Sequence, residues 1–309
     1  MVTRIRATWR ETVMKGKSLT MRNNMAYIYM LPWLIGIAVF TLYPFIISFY
    51  YALCDYNPVK EPIFIGFSNF IQLFAKDDEF SKSLKATLLY TIYTVPLKLI
   101  MSLIIAMMLN KARRGIGIIR TFYYLPSLFG GSIAVVVLWR IMFNDAGLVN
   151  SWLHYLGIST ISFLGDPKLA LPTLSLLEVW QFGSSMVMFL AALKQMPASL
   201  HEAARIDGAG GVKRFFHITL PCISPIIFFC IIMQTINAIQ NFTSAYVITK
   251  GGPLKSTYLL GVKLYTDGFK LWKMGYASAT SWVIFGMVAL FTAVLFASSK
   301  LWVFYGDET

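Results

Sequence analysis

The sequence predicts an all-α integral membrane protein with six transmembrane helices and a short cytoplasmic coupling helix. Three observations predict this fold class. The 309 residues are 57% hydrophobic and only 13% charged, whereas soluble domains carry about 25% charged residues. Six apolar segments are long enough to cross roughly 30 Å of hydrocarbon, which takes about 20 helical residues. Basic residues cluster beside two of these segments, as they do on the cytoplasmic side of membranes.

Each apolar segment is predicted to be a helix, because a backbone within lipid must satisfy its own hydrogen bonds. The segments are 26–50, 86–110, 121–143, 170–193, 222–245 and 275–299. An even number of spans places both termini on the same side. No repeat or soluble domain interrupts this pattern, so we predict a single membrane domain over 26–309.

The charge distribution indicates the orientation of this domain. The N-terminal arm, 1–25, is basic, and so is the short 111–120 loop. Both are therefore predicted to be cytoplasmic, together with both termini and the 195–221 loop. The outer 246–274 segment fits poorly, since it contains five lysines and one aspartate. The basic residues behind the net charge of +13 are thus explained by membrane orientation and contact with lipid. We therefore expect no nucleic-acid partner.

Residue types that carry catalysis or bind metals are scarce. The three cysteines form no C-x-x-C pair, and the three histidines lie far apart in predicted loops. The sequence therefore predicts no catalytic residue, no metal site, no disulfide framework and no cofactor bound by this chain.

The 195–221 loop carries the most specific pattern. Its letters read E-A-A, three residues, G, nine residues, I-x-L-P, beginning at Glu202. Ser199 and Glu202 have the spacing of a capping box, which predicts a short helix starting near Leu200. Gly208 permits a backbone conformation that other residues resist, so the helix is expected to end there. We expect Val212 and the two phenylalanines at 215–216 to rest on the helices below.

This loop resembles the coupling loop in permease subunits of bacterial carbohydrate ABC importers, the group that includes the maltose and glycerol-3-phosphate systems. Shorter matches extend the resemblance over nearly the whole chain, among them Gly251-Gly252-Pro253 after the fifth span. The resemblance implies that the loop contacts a separate ATPase, with Glu202 making a polar contact and small residues giving shape complementarity. The residues that it assigns to ATPase coupling are Glu202, Ala203, Ala204, Asp207, Gly208, Ile218, Leu220 and Pro221.

The resemblance also implies the partners and the location in the bacterial inner or plasma membrane. A second, homologous permease subunit would complete the pathway, two ATP-binding subunits would drive it, and an extracytoplasmic solute-binding protein would deliver a carbohydrate, which we expect to be an oligosaccharide. This chain has no G-x-x-x-x-G-K-[ST] phosphate loop. We therefore expect a non-catalytic transport subunit, with ATP and Mg²⁺ bound by the partner ATPases.

Polar residues within the spans are candidates for the substrate pathway, because they are costly in lipid and usually face an interior or a cavity. In the fifth span these are Gln234, Asn237, Gln240 and Asn241. Amides suit sugar hydroxyls because they both donate and accept hydrogen bonds, but they also join helices in membrane bundles. Glu178 in the fourth span either faces the pathway or pairs with Lys98 or Arg140.

Two other classes of protein are compatible with parts of this sequence. An ion-gradient-driven secondary transporter of a small polar solute is the main alternative, since Lys98 and Glu178 are ionisable residues at membrane depth. A membrane enzyme is the second, but no nucleophile or metal spacing accompanies the histidines. Both alternatives leave the 202–221 pattern unexplained.

Overall fold

The computed structural model describes residues 29–110 and 115–304, so the predicted arm 1–25 lies outside the described residues. The first span is α1, Tyr29–Ala52. The helices that follow are α2 (Ser68–Ala75), α3 (Asp78–Leu109), α4 (Ile116–Leu128), α5 (Ile133–Phe143), α6 (Leu148–Tyr155), α7 (Pro167–Trp180), α8 (Gly183–Gln195), α9 (Ala198–Ile206), α10 (Gly211–Arg214), α11 (Ser224–Ile239), α12 (Thr243–Ile248), α13 (Leu260–Tyr265) and α14 (Met274–Trp302). Wider π-helical turns occur at Ala38–Leu42, Phe215–Thr219 and Thr266–Lys270.

The predicted number of spans is confirmed within the described ranges. Five helical stretches are long and apolar enough to cross a membrane, and the bent pair α7–α8 supplies a sixth. We call the face that carries residues 195–221 the inner face. The opposite face, with residues 53–77 and 249–273, is called the outer face.

Three of the six predicted spans are interrupted, which sequence hydropathy did not indicate. The third, predicted over 121–143, divides into α4 and α5 at 129–132, where Gly131 has φ +78°. The stretch there that is long and apolar enough to cross is Ile133–Tyr155, so the predicted bounds are shifted. The fourth bends by 47° between α7 and α8. The fifth starts at Ser224 and breaks at 240–242, between α11 and α12. Broken backbone at membrane depth is tolerated where it lines a cavity or is buried in protein.

The all-α prediction is confirmed, and a small β-hairpin on the outer face is a minor addition to it. Strand β1, Cys54–Asp55, pairs antiparallel with β2, Ile63–Phe64. Asn69 on α2 holds the hairpin, because its side-chain amide donates to the carbonyls of Ala52 and Cys54, both at 2.9 Å. Strands this short carry a weak sequence signal, since they bury almost no periodic apolar face.

The long helix α3 lies at the centre of the bundle and packs on α7, α8 and α11. Its buried residues and theirs form one apolar cluster that includes Tyr90, Leu174, Met186 and Cys230. By contrast, α1 packs on α14, where Phe45 and Phe49 surround Trp282 at centroid distances of 4.7 and 4.8 Å. The rest of α1 is largely exposed, so it can face lipid.

Candidate functional site

A polar cavity of about 400 Å³ lies where the third and fourth spans break. Its lining contains one cation and one carboxylate, and its other side chains are neutral amides and hydroxyls. The lining residues are Lys98, Ser127, Gly130, Gly131, Glu178, Gln181, Ser184, Gln234 and Asn237. A polar cavity at this depth in an otherwise apolar bundle is a candidate solute pathway.

The two charged residues of the cavity pair with each other. Lys98 is 6% exposed, and its Nζ lies 3.3 Å from Glu178 Oε2. The alternative partner, Arg140, instead donates to the carbonyl of Val247 at 3.4 Å. The Glu178 side chain remains 24% exposed. Glu178 therefore does both things that the sequence left open, since it pairs with Lys98 and also lines the cavity.

The structure separates the four amides of the fifth span. Gln234 and Asn237 line the cavity, and Gln234 donates to Ser185 Oγ at 3.2 Å. Asn241 sits at the break after α11, where its Nδ2 lies 3.5 Å from Glu178 Oε1. Gln240 is exposed and lies outside the cavity lining. Helical geometry explains this difference, because Gln234, Asn237 and Asn241 follow one face.

The break in the fourth span is stabilised by neighbouring helices. Ser102 Oγ donates to the carbonyls of Lys98 and Phe182, at 2.7 and 3.0 Å. Gly183 allows α8 to approach α4 closely, because a Cβ at Gly183 would lie 2.7 Å from Ser127 Oγ. This contact brings Ser127 into the cavity. Hydropathy could not predict that Ser127 lines the cavity, because this depends on which helices pack together.

Two further lining residues, Gln181 and Ser184, were not among the predicted pathway residues. Gln181 lies three residues after Glu178 at the bend, so the i, i+3 spacing was the available signal. Ser184 is one of many small hydroxyl residues in the spans, and its side chain alone carries no such signal.

The inner-face loop is helical, as predicted, but its cap differs. Helix α9 starts at Ala198 after Pro197, and no side chain caps it. The prediction of a capping box at Ser199 and Glu202 is therefore wrong, because the helix begins before Ser199. The predicted stop is correct: Gly208 has φ +76°, a conformation that favours glycine.

Half of the eight inner-face positions predicted to contact an ATPase are exposed. Glu202, Ala203, Asp207 and Gly208 are exposed, whereas Ala204, Ile218, Leu220 and Pro221 are half-buried. Pro221 lies in a one-turn helix, Leu220–Cys222, just before α11 begins at Ser224.

Apolar side chains on the same loop also point outward. Ile206 is 87% exposed, Val212 75% and Phe216 57%. The prediction that Val212 and Phe216 rest on the helices below is therefore wrong, and only Phe215 is half-buried. Exposed apolar residues grouped with polar ones indicate a surface for a partner.

These features define a class: a multi-pass membrane protein with an internal polar cavity and an exposed helical loop on one face. The family described as "Binding-protein-dependent transport system inner membrane component" matches residues 86–304. The chain belongs to this family. The family match decides between the transport classes in favour of binding-protein-dependent transport, against the ion-gradient alternative.

Curated relatives match along nearly the whole chain. A probable ABC transporter permease protein, YesP of Bacillus subtilis (strain 168), is 45% identical over 96% of this chain and 97% of that protein. The sn-glycerol-3-phosphate transport system permease protein UgpA of Yersinia pestis bv. Antiqua (strain Antiqua) is 34% identical over 88% and 92%. The lactose transport system permease protein LacF of Rhizobium radiobacter is 33% identical over 89% and 93%.

A solved structure shares the fold. A bacterial alginate ABC transporter, crystallised with an alginate pentasaccharide-bound periplasmic protein, includes a chain that matches with a TM-score of 0.78. The match covers 91% of this chain and 95% of that one at 23% identity. At this identity the likeness shows the fold alone.

Proposed function

We propose that this chain is one of two permease subunits in an ATP-driven, binding-protein-dependent carbohydrate importer, and that its solute is an oligosaccharide. The observation that carries the proposal is the polar cavity beside the Lys98–Glu178 pair, in a chain of this transport family. Relatives are named for lactose and for trehalose/maltose, which supports a carbohydrate.

The cavity chemistry suits a polyhydroxylated solute. Gln181, Gln234 and Asn237 present both amide donors and amide acceptors to the cavity. The Glu178 side chain, which pairs with Lys98, offers oxygen acceptors to sugar hydroxyls. Asn241 supports this carboxylate from the outer side. A solute with many hydroxyls can exchange its bound water for hydrogen bonds to these groups.

Asn237 is exposed in the isolated chain although it lines the cavity. An exposed amide at membrane depth needs a neighbour, because lipid cannot hydrogen-bond to it. A second, homologous permease subunit supplies that neighbour and closes the pathway. Each chain then forms half of the route.

ATP hydrolysis takes place on two separate ATP-binding subunits, which also hold the Mg²⁺. Helix α9 and the exposed apolar residues Ile206, Val212 and Phe216 dock into them. Glu202 makes a polar contact, and Ala203 and Gly208 permit a close approach. Movement of the ATPases displaces this loop and, through α8 and α11, the two halves of the cavity lining. The inner face is accordingly cytoplasmic, and the solute-binding protein docks on the outer face.

The proposal is tested by purifying the tagged chain gently from its native membrane and identifying the proteins that accompany it. A second six-span permease and an ATP-binding subunit are expected. A lone chain or a homo-oligomer, under conditions that keep a known importer intact, would overturn the proposal.

The recovered complex is then placed in lipid vesicles with its binding protein and tested for ATP-dependent uptake. The probes are lactose, trehalose, maltose, sn-glycerol-3-phosphate and an alginate pentasaccharide. Uptake of a sugar supports the substrate class. Uptake restricted to sn-glycerol-3-phosphate contradicts it.

A further inference from the structure

On the outer face, Lys263 of α13 is 2% exposed. A buried ammonium is costly unless it is paired. Its Nζ lies 2.6 Å from Asp77 Oδ2 and 3.0 Å from Asp267 Oδ2. The hydroxyl of Tyr276 donates to the same Asp77 oxygen at 2.5 Å. We call Asp77, Lys263, Asp267 and Tyr276 the outer ion cluster.

Two members of the cluster, Lys263 and Asp77, remain charged at neutral pH. Burial lowers the pKa of Lys263, but hydrogen bonds to Asp77 and Asp267 outweigh burial and raise that pKa above its ordinary value. Burial raises the pKa of Asp77, but hydrogen bonds from Lys263 and Tyr276 outweigh it and lower that pKa. The ion pair of Lys263 and Asp77 is therefore held as a charged pair.

The cluster joins three separate parts of the chain. Asp77 caps α3, accepting from the backbone N–H groups of Glu79 and Phe80 at 2.8 and 3.1 Å. Lys263 lies on α13, and Asp267 follows on its π-helical continuation. Tyr276 lies in the first turn of α14. Lys263 thus fastens α13 to the ends of the second and sixth spans.

Helix α13 in turn touches the break in the fifth span. The backbone N–H of Leu260 donates to Thr87 Oγ1 of α3 at 2.9 Å. The next residue, Gly261, packs directly on Asn241, because a Cβ there would lie 2.8 Å from the Asn241 carbonyl oxygen and 3.2 Å from Phe242 Cβ. Helix α13 is therefore packed directly against the backbone at Asn241.

Asn241 connects this contact to the polar cavity. Its Oδ1 accepts from Ser244 Oγ at 2.6 Å, and its Nδ2 faces Glu178 Oε1. Lys263 and Gly261 lie two residues apart on α13, Gly261 packs on Asn241, and the Asn241 amide reaches Glu178. Glu178 in turn lines the cavity.

We propose that Lys263 is a positioning residue for transport: it fixes α13, and α13 holds Asn241 in the orientation that places its amide on Glu178. This inference rests on the proposed function of the cavity. Under this proposal, Lys263 lies on the outer face, outside the cavity, and still controls the orientation of Asn241.

The test compares Lys263→Met with Lys255→Met in the assembled importer. Lys255 also pairs with an acidic residue, Glu79, on the outer face, but both side chains are well exposed, 39% and 49%, and neither belongs to the outer ion cluster. The Lys255 variant is therefore a matched control for the loss of an outer-face lysine.

The first readout is the labelling rate of Asn241→Cys by a membrane-impermeant thiol reagent, in a chain whose three native cysteines are replaced by alanine. We expect Lys263→Met to change this rate by about fivefold or more, since couplings through contact networks commonly amount to several-fold effects. Lys255→Met is expected to leave it unchanged. Equal rates in the Lys263→Met chain and its parent would overturn the inference.

The second readout is uptake per assembled complex, with the sugar identified in the vesicle assay. Lys263→Met is expected to lower uptake, and Lys255→Met is not. Normal uptake by Asn241→Leu would refute the pathway role of Asn241. Impaired uptake by Asn241→Leu with normal uptake by Lys263→Met would refute the positioning role alone.

If the Lys263→Met chain fails to assemble, the labelling experiment uses Gly261→Ala instead. That change leaves the ion cluster intact but presses on the same carbonyl oxygen of Asn241. Altered labelling at position 241 supports the proposed contact path, and unaltered labelling overturns it.

Discussion

Lys98 Nζ lies 3.3 Å from Glu178 Oε2, which joins the middle of the second span to the bend in the fourth. The lysine is buried, whereas the carboxylate borders the polar cavity. The pair therefore joins two helices of the bundle and also presents a carboxyl group to the cavity. Its two members are expected to behave differently when either is replaced.

Replacing Lys98 with Met leaves the Glu178 carboxylate without its cation. Removing one member of a fully buried pair costs about 3–5 kcal/mol, and we expect about 2 kcal/mol here because Glu178 is partly exposed to the cavity. Thermal unfolding of the purified complex measures the loss. Lys194→Met, an exposed lysine at the end of α8, is the control. Adding Glu178→Gln to Lys98→Met should restore part of the stability, and no restoration would contradict the pairing.

The amides of the fifth span should differ in their effect on uptake. Asn237→Leu with Asn241→Leu is expected to reduce uptake per complex by about tenfold or more, since removing polar partners of a substrate costs at least 1–2 kcal/mol. Assembly with the ATPase should be retained. Gln240→Leu is the matched control, because this exposed amide neither lines the cavity, as Asn237 does, nor reaches Glu178, as Asn241 does. If uptake survives in the double variant, the two amides have a structural role only.

Gly208 should tolerate alanine less well than Gly210. Both have open space around the position of a Cβ, but only Gly208 has a positive φ, +76°. An L-residue in that conformation costs roughly 1–2 kcal/mol. Gly208→Ala is therefore expected to weaken co-purification of the ATPase and to lower uptake, whereas Gly210→Ala is neutral. Equal behaviour of the two variants would show that the turn is not needed for coupling.

Glu202→Lys is expected to uncouple transport while membrane insertion remains normal. The side chain is exposed on α9, so its reversal disturbs a partner rather than the fold. Surface changes of this kind usually alter stability by only about 0.5 kcal/mol. Uptake and bound ATPase are measured on the same membranes, with Glu202→Gln as the milder variant. Unchanged uptake in the Glu202→Lys chain would refute its coupling role.

Gly183→Ala should destabilise the contact between α4 and α8. A Cβ there would lie 2.7 Å from Ser127 Oγ and 3.0 Å from Tyr124 Cα. Overpacking of this kind costs about 1–3 kcal/mol. Gly286→Ala on α14, where no atom lies within 4 Å, is the control and should be neutral or slightly stabilising. A thermal unfolding temperature equal to the parent's in Gly183→Ala would contradict the close contact.

The sequence alone determined the membrane class and the number of spans. Long apolar runs require a bilayer, and a backbone in lipid forms helices, so α3 and α14 were predictable with no tertiary information. The end of α9 was predictable for a local reason too, since Gly208 suits a left-handed turn. The family was indicated by the 202–221 pattern, because its fixed spacing is local.

Only the tertiary structure decided which polar residues act together. The breaks at 129–132, 181–182 and 240–242 lie within segments whose average hydropathy is that of a membrane span, so hydropathy does not locate them. The choice of Lys98 over Arg140 as the partner of Glu178 depends on which helices pack side by side. Gln240 and Asn241 are neighbours in sequence, yet only Asn241 reaches Glu178. Local patterns specify helices, whereas the cavity and the outer ion cluster form from contacts between residues that are distant in the chain.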